Sequence, residues 1–287
     1  MNLAPKVALL QDMSGYGRCS VMVAVPVLSA MGAQCCPMLT AYLSAHTACP
    51  QTQDSVFLDM TDEMVRTGRH WASLGLTFQA IFSGFLGSAE QIGVLQDFIG
   101  HFRRGDTLVM VDPVMGDNGR PYRTYTPDLC RRMGELAAEA DIITPNRTEA
   151  AILLGEDYAD VPGDEAGLAR WLERLSLDGR RSVVITGVRG GVDRLGAACL
   201  DRATGRTFFA TTHEEPGQYP GTGDLFASVL LGALLNGAVL SDATQLAVEF
   251  VRQSICRTLE LGAPVIEGVQ FEALLGTLAG WTPGAAV

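Results

Sequence analysis

The 287-residue chain contains a single lysine, Lys6. A Walker phosphate loop needs Gly-Lys-Ser/Thr, and no such segment occurs. A pyridoxal-phosphate enzyme needs a lysine for its Schiff base, and Lys6 stands before the first predicted strand. Cysteine is also arranged unhelpfully for structure. Cys19, Cys35, Cys36, Cys49, Cys130, Cys199 and Cys256 are odd in number and form no Cys-x-x-Cys pair. They are expected as buried thiols of a reducing cytosol, not as a disulfide framework or zinc site. His70, His101 and His213 share no metal-ligand spacing, so zinc is not expected. Apolar runs are short. The longest, after Asp224, is broken by Ser228 and cannot span a bilayer. Residues 1–5 lead straight into a short apolar run, so no signal peptide is read and a cytoplasmic protein is expected. The formal net charge of −11 argues against nucleic acid or an anionic membrane as partner. Repeats, low-complexity tracts and linkers are lacking too, which favours one domain over 1–287.

What is present is an anion-binding turn. Pro220-Gly221-Thr222-Gly223-Asp224 runs directly into the apolar segment Leu225–Leu231. Glycines let several N–H groups face one way. A following helix adds its unpaired N–H groups and the positive end of its dipole. Asp224 is the odd member, because a carboxylate repels an anion. Proton abstraction from an attacking hydroxyl is one reason to place it there. Capping of the helix by Thr222 or Asp224 is the other reading.

The remainder alternates as an α/β protein does. Strands are predicted over 7–10, 33–39, 80–83, 107–111, 141–144 and 182–186. Helices are predicted over 18–31, 59–74 and 89–102, with two or three more closing the chain. Continuous apolar strands suit a parallel sheet covered on both faces. Segments 195–200 and 206–211, joined through Thr204-Gly205, read as an antiparallel edge hairpin. In such sheets ligands bind beyond the carboxyl ends of the strands. Those ends carry Gln11-Asp12, Ser44-Ala45-His46-Thr47, Ser83-Gly84-Phe85, Asp112 to Asp117, Thr144 to Glu149, and Thr186-Gly187. Asp112, Asp117 and Glu149 are candidates to hold Mg2+ or to anchor loops. His46 suits a loop hydrogen bond as well as a ligand contact. Gly15-Tyr16-Gly17 begins like a dinucleotide loop, but Ser20 replaces the third glycine.

Taken in order, Ser83-Gly84-Phe85-Leu86-Gly87, Asp112-Pro113-Val114-Met115-Gly116-Asp117, Thr144-Pro145-Asn146-Arg147-Thr148-Glu149 and Gly221-Thr222-Gly223-Asp224 resemble the ribokinase-like superfamily. Within it they resemble the vitamin B6 kinases. The likeness covers almost the whole chain. It implies a doubly wound, mostly parallel sheet with helices on both faces. It implies ATP-dependent phosphorylation of the 5′-hydroxymethyl group of pyridoxal, pyridoxine or pyridoxamine. By position, Asp224 resembles the catalytic base, with Gly221, Thr222 and Gly223 as the anion hole. Asn146 and Glu149 resemble the Mg-phosphate pair, and Asp112 and Asp117 fall near metal and ATP. Thr144 and Thr186 fall at nucleotide contacts. Residues 117–125 resemble a flap, in which Arg120 and Arg123 are candidates to touch ATP, with Arg147 a further one. Asp12, His46, Thr47 and Phe85 fall at ring-binding positions. The family commonly has Ser at the place of Asp12 and Tyr at that of Phe85, so vitamer preference is open. Such kinases use Mg-ATP, are often K+-activated and are usually homodimers. A hydroxymethylpyrimidine kinase of the same fold is the nearest alternative. A non-catalytic nucleotide-binding protein is a more distant one, and the presence of Asp224 speaks against it.

Overall fold

The computed structural model describes residues 3–122 and 125–284. Apolar alternation sets the layers. In β1 (Lys6–Ser14), Val7 and Leu9 enter one core while Ala8 and Leu10 enter the other. The chain continues through α1 (Val21–Ala30), β2 (Gln34–Leu43), β3 (Phe57–Asp59), α2 (Thr61–Ser73), β4 (Ala80–Ser83), α3 (Glu90–Phe102) and β5 (Leu108–Val111). Next come β6 (Gly116–Asp117), β7 (Arg120–Pro121), α4 (Pro127–Ala137), β8 (Ile142–Ile143), α5 (Arg147–Leu154) and α6 (Glu165–Leu175). It closes with β9 (Ser182–Arg189), β10 (Arg194–Asp201), β11 (Arg206–His213), α7 (Thr222–Leu235), α8 (Leu240–Leu261) and α9 (Leu275–Leu278).

Among the described residues nine strands form one sheet in the order β11-β10-β9-β8-β5-β4-β1-β2-β3. The six from β9 to β2 are parallel, and β3, β10 and β11 run antiparallel to their neighbours. Helices α2 to α6 cover one face, and α1, α7, α8 and α9 the other. The doubly wound sheet and its edge hairpin therefore match the expectation. The chain leaves β1 for β2 and then crosses back to β4. This reversal opens a crevice beside the carboxyl end of β1.

Three local expectations change. The first helix begins at Val21, not at Arg18, because Ser20 sits at φ 47 in the left-handed region and holds a loop before the helix. Strand β3 escapes sequence reading because all three of its residues are exposed, so burial leaves no alternation in it. Among the cysteines only Cys199 is buried, and the other six are half-buried. No helix among the described residues is long and apolar enough to cross a membrane.

Candidate active site

A cleft of about 670 Å³ lies over the carboxyl ends of the parallel strands, where the expected residues meet. Asp12, His46, Thr47, Phe85, Asp112, Asp117, Thr144, Asn146, Glu149, Thr186 and Gly221 to Asp224 all line it.

One wall is the start of α7. Gly221 takes φ 78 at its N-cap, and a Cβ there would collide with the Arg18 carbonyl, so only glycine fits. A Cβ built on Gly223 meets no atom within 4 Å, so open space lies over this first turn. The hydroxyl of Thr222 donates to the Tyr219 carbonyl (3.1 Å) and so braces the turn rather than capping the helix. Asp224 faces the cleft from the same turn, where the dipole is positive. Burial pushes its carboxyl up to about 7, the nearby charge of Asp12 adds to this, and the Ser20 N–H opposes it.

Ser20 links two carboxylates, because its hydroxyl also bonds Asp12. Its left-handed backbone aims the N–H at Asp224 while the side chain turns towards β1. Sequence reading noted Ser20 only as a missing glycine. Asp12 sits where the β1–β2 register slips between Gln11 and Met13, and accepts a further bond from the Ser14 hydroxyl (3.1 Å). Burial raises its pKa, and the two serines and His46 oppose that. His46 is buried. Its Nε2–H donates to the Ile266 carbonyl (2.6 Å), which leaves Nδ1 as an acceptor without a partner among the described residues. The loop hydrogen bond is thus present at one nitrogen, and the other lies in the cleft as an acceptor without a partner among the described residues. Phe85 stands edge-on to Tyr125, with centroids 5.8 Å apart, and offers a flat apolar wall. Thr47 is exposed at the rim.

The opposite wall is built by a capping box. Asn146 Oδ1 accepts from the N–H groups of Thr148 (2.8 Å) and Glu149 (3.0 Å), and Glu149 Oε2 accepts from the Asn146 N–H (2.8 Å). Glu149 Oε1 accepts from the Met115 N–H (3.0 Å), and Asn146 Nδ2 donates to the Gly116 carbonyl (2.8 Å). These bonds pin the short hairpin of β6 and β7 to the start of α5. Asn118 and Gly119 both take positive φ between the two strands, as a tight hairpin turn requires. Thr186 pairs with Asn146 through a parallel bridge that extends the β8–β9 contact.

The chemistry here suits a hard cation. Asp112 and Glu149 are buried, and both are pushed above the usual carboxylate range, by burial first. The charge of Asp224 adds to this at Asp112, and the charge of Asp112 adds to it at Glu149. Added positive charge would relieve both. The expected trio does not close on one point, however. Among the described residues no three His, Cys, Asp or Glu side chains converge as an ion cage. Glu149 spends both oxygens on N–H groups, and Asp117 is exposed with its oxygens bonded to Asn118. That pattern fits Mg2+, which is commonly held by one or two carboxylates together with substrate phosphates.

Arginine is placed differently from the expectation. Arg120 is exposed on β7 and is not among the residues lining the cleft, whereas Arg147 lines it and stacks on Tyr158 at 5.7 Å. Arg123 lies outside the described residues. Arg189 also lines the cleft, in a two-pronged pair with Glu214 (2.5 and 2.8 Å), and was not singled out from sequence.

Comparison with known proteins agrees with this fold. A protein of Bacteroides thetaiotaomicron, assigned provisionally to the phosphomethylpyrimidine kinases and solved with pyridoxal, superposes with a TM-score of 0.91 at 39% identity, over 96% of both chains. The pyridoxal kinase of Lactobacillus plantarum superposes with a TM-score of 0.87 at 30% identity, again over 96% of both. A pyridoxal kinase of Rubrobacter xylanophilus is 29% identical over 270 residues, which is 90% of this chain and 89% of that protein. The family model described as phosphomethylpyrimidine kinase matches residues 25–268. That span runs from within α1 to beyond α8, taking in every strand of the sheet except β1 and both walls of the cleft, and the chain belongs to the phosphomethylpyrimidine kinase family.

Proposed function

We propose that this kinase transfers the γ-phosphoryl group of ATP to the hydroxymethyl group of a vitamin B6 vitamer. The observation that carries this reading is Asp224: a half-buried carboxylate in the first turn of α7, poised near neutral pH, beside the open space over Gly223. The acceptor hydroxyl gives its proton to Asp224 as its oxygen attacks the phosphorus. The N–H groups from Gly221 to Gly223 face the charge that grows on the transferring group. The flat ring lies against Phe85, with Asp12 and His46 Nδ1 offering it polar contacts. The nucleotide occupies the wall formed by Thr144, Asn146, Arg147 and Thr186. When Mg2+ is bound it neutralises and orients the phosphates; Asp112 is the carboxylate best placed to hold it, and Glu149 acts through its fixed shell. A K+ requirement, a homodimer and a cytoplasmic location belong to the same reading.

The family description favours a second substrate, hydroxymethylpyrimidine or its phosphate, which is also a flat heteroaromatic alcohol. One assay decides between them. ATP consumption is measured with pyridoxal, pyridoxine, pyridoxamine and hydroxymethylpyrimidine in parallel. The expected result is a higher kcat/KM for at least one vitamer than for the pyrimidine. A reversed order would reject the vitamer.

A further inference from the structure

At the amino ends of the parallel strands, on the edge opposite the active cleft, lies a second pocket of about 440 Å³. Arg103 follows α3, Asp141 precedes β8, Arg181 precedes β9, and Arg202 follows the antiparallel strand β10. The topology therefore gathers side chains from four separate connections at one place. Among the described residues four guanidinium groups (Arg103, Arg180, Arg181 and Arg202) line the pocket, against two carboxylates, Asp141 and Glu139. In a chain of net charge −11 this is a concentrated surplus of positive charge.

The two carboxylates do not balance it. Asp141 is buried; its Oδ1 accepts from both Arg103 and Arg202 (2.6 Å each), and its Oδ2 accepts from the Val109 N–H (2.9 Å). Glu139 accepts from Gln96 (2.8 Å). Arg181 is 4% exposed, and its bonds go to the carbonyls of Leu175 and Ala137 rather than to a carboxylate. Arg180 donates to the Leu177 carbonyl (2.8 Å). A buried guanidinium with only carbonyls for company is costly. Burial and the neighbouring Arg180 together lower the Arg181 pKa to about 10. Arg103, Arg180 and Arg202 reach solvent, and Arg181 is the one buried guanidinium of the pocket, with no carboxylate bonded to it among the described residues.

We propose that this pocket binds a small phosphorylated anion, of the phosphate-monoester or pyrophosphate class, separately from the active cleft. The guanidinium fork matches tetrahedral oxyanions, and a dianion supplies the two charges that the pocket lacks. Ile99, Ala138 and Leu177 line the pocket beside the arginines, and give an apolar surface for whatever carries the phosphate.

The test uses inorganic pyrophosphate as probe, titrated calorimetrically into the whole protein at low salt. The active cleft also binds phosphate, so three proteins are compared. Arg202→Ala leaves Asp141 paired with Arg103, and Gly223→Asp places a carboxylate over the first turn of α7. Wild type should show two classes of binding. Arg202→Ala should weaken one class by roughly tenfold to a hundredfold, as expected for loss of a charge-assisted contact. Gly223→Asp should remove the other class and leave the first intact. Arg103→Ala, which leaves Asp141 paired with Arg202, serves if Arg202→Ala does not fold, and should act the same way. A single class abolished by Gly223→Asp and untouched by both arginine substitutions would overturn the proposal.

Discussion

The two edges of the sheet bury charge in opposite ways. At the carboxyl edge Asp12, Asp112, Glu149 and Asp224 are held by N–H groups, hydroxyls and the α7 dipole, and no arginine bridge to them is found among the described residues. Their pKa values all rise. At the amino edge the buried Asp141 is gripped by two arginines. Burial alone therefore does not mark a reactive carboxylate. At the carboxyl edge the carboxylates lack an arginine partner among the described residues, so there the charged form remains costly.

The sharpest way to break this comparison is Asp224→Asn. The change is nearly isosteric, so the fold should persist, and kcat should drop by roughly 10² to 10⁴-fold. Near-wild-type kcat in the folded variant would show that unpaired burial here has no catalytic meaning. For the unsubstituted protein, kcat/KM should fall as pH drops through about 7, where Asp224 takes up its proton.

Asp12 tests the same edge through selectivity. If its carboxylate meets the ring substituent, the protonated amine of pyridoxamine gains a charge-assisted bond that the aldehyde of pyridoxal does not. Pyridoxamine should then lead pyridoxal in kcat/KM by roughly tenfold to a hundredfold, and Asp12→Ser should flatten the ranking. A preference for pyridoxal that survives the serine would leave Asp12 as the anchor of Ser14 and Ser20 only.

Arginine position gives a smaller effect. Arg147→Ala should raise the KM for ATP by roughly tenfold at most, while Arg120→Ala leaves it unchanged. The opposite result would mean that the flap closes with Arg120 inward.

The smallest effect is on stability. Asp224 has a folded pKa of about 7 against an ordinary 3.8, so the native state holds more protons than the unfolded chain between about pH 4 and 7. Stability therefore falls as pH rises through that window, and the raised Asp112 acts in the same direction. Asp112→Asn should raise Tm at pH 8 by several degrees, since roughly 2–4 °C corresponds to 1 kcal/mol at this size. It should do much less at pH 5. Asp141→Asn should instead lower Tm at pH 8, because it removes the partner of two arginines.

The sheet was legible because its strands are buried on both faces and bounded by Gly, Pro and Asp, as at Asp112-Pro113 and Thr144-Pro145. The anion turn was legible because its glycines and helix are contiguous. Ser20 was not, because its role rests on a left-handed backbone conformation that serine adopts rarely. The split between Arg147 and Arg120 was not legible either, since it depends on which way a two-residue hairpin faces. Nor was the division of labour among Asp112, Asp117 and Glu149. It is decided by N–H groups of Met115 and Asn146 that only folding brings to Glu149.

His46 is tied to the Ile266 carbonyl, 220 positions later in the chain, and Arg18 to Glu267, Gln270 and Glu272. The His46 corner of the cleft is thus closed by a segment that leaves the ribosome after every strand of the sheet. A chain without Ile266 lacks the brace that sets the histidine tautomer, and it also lacks Val269, Phe271, Leu278 and Trp281 of the core beneath it. In folding, that corner closes through contacts across 220 positions or more, whose cost in loop closure is separate from that of pairing the strands.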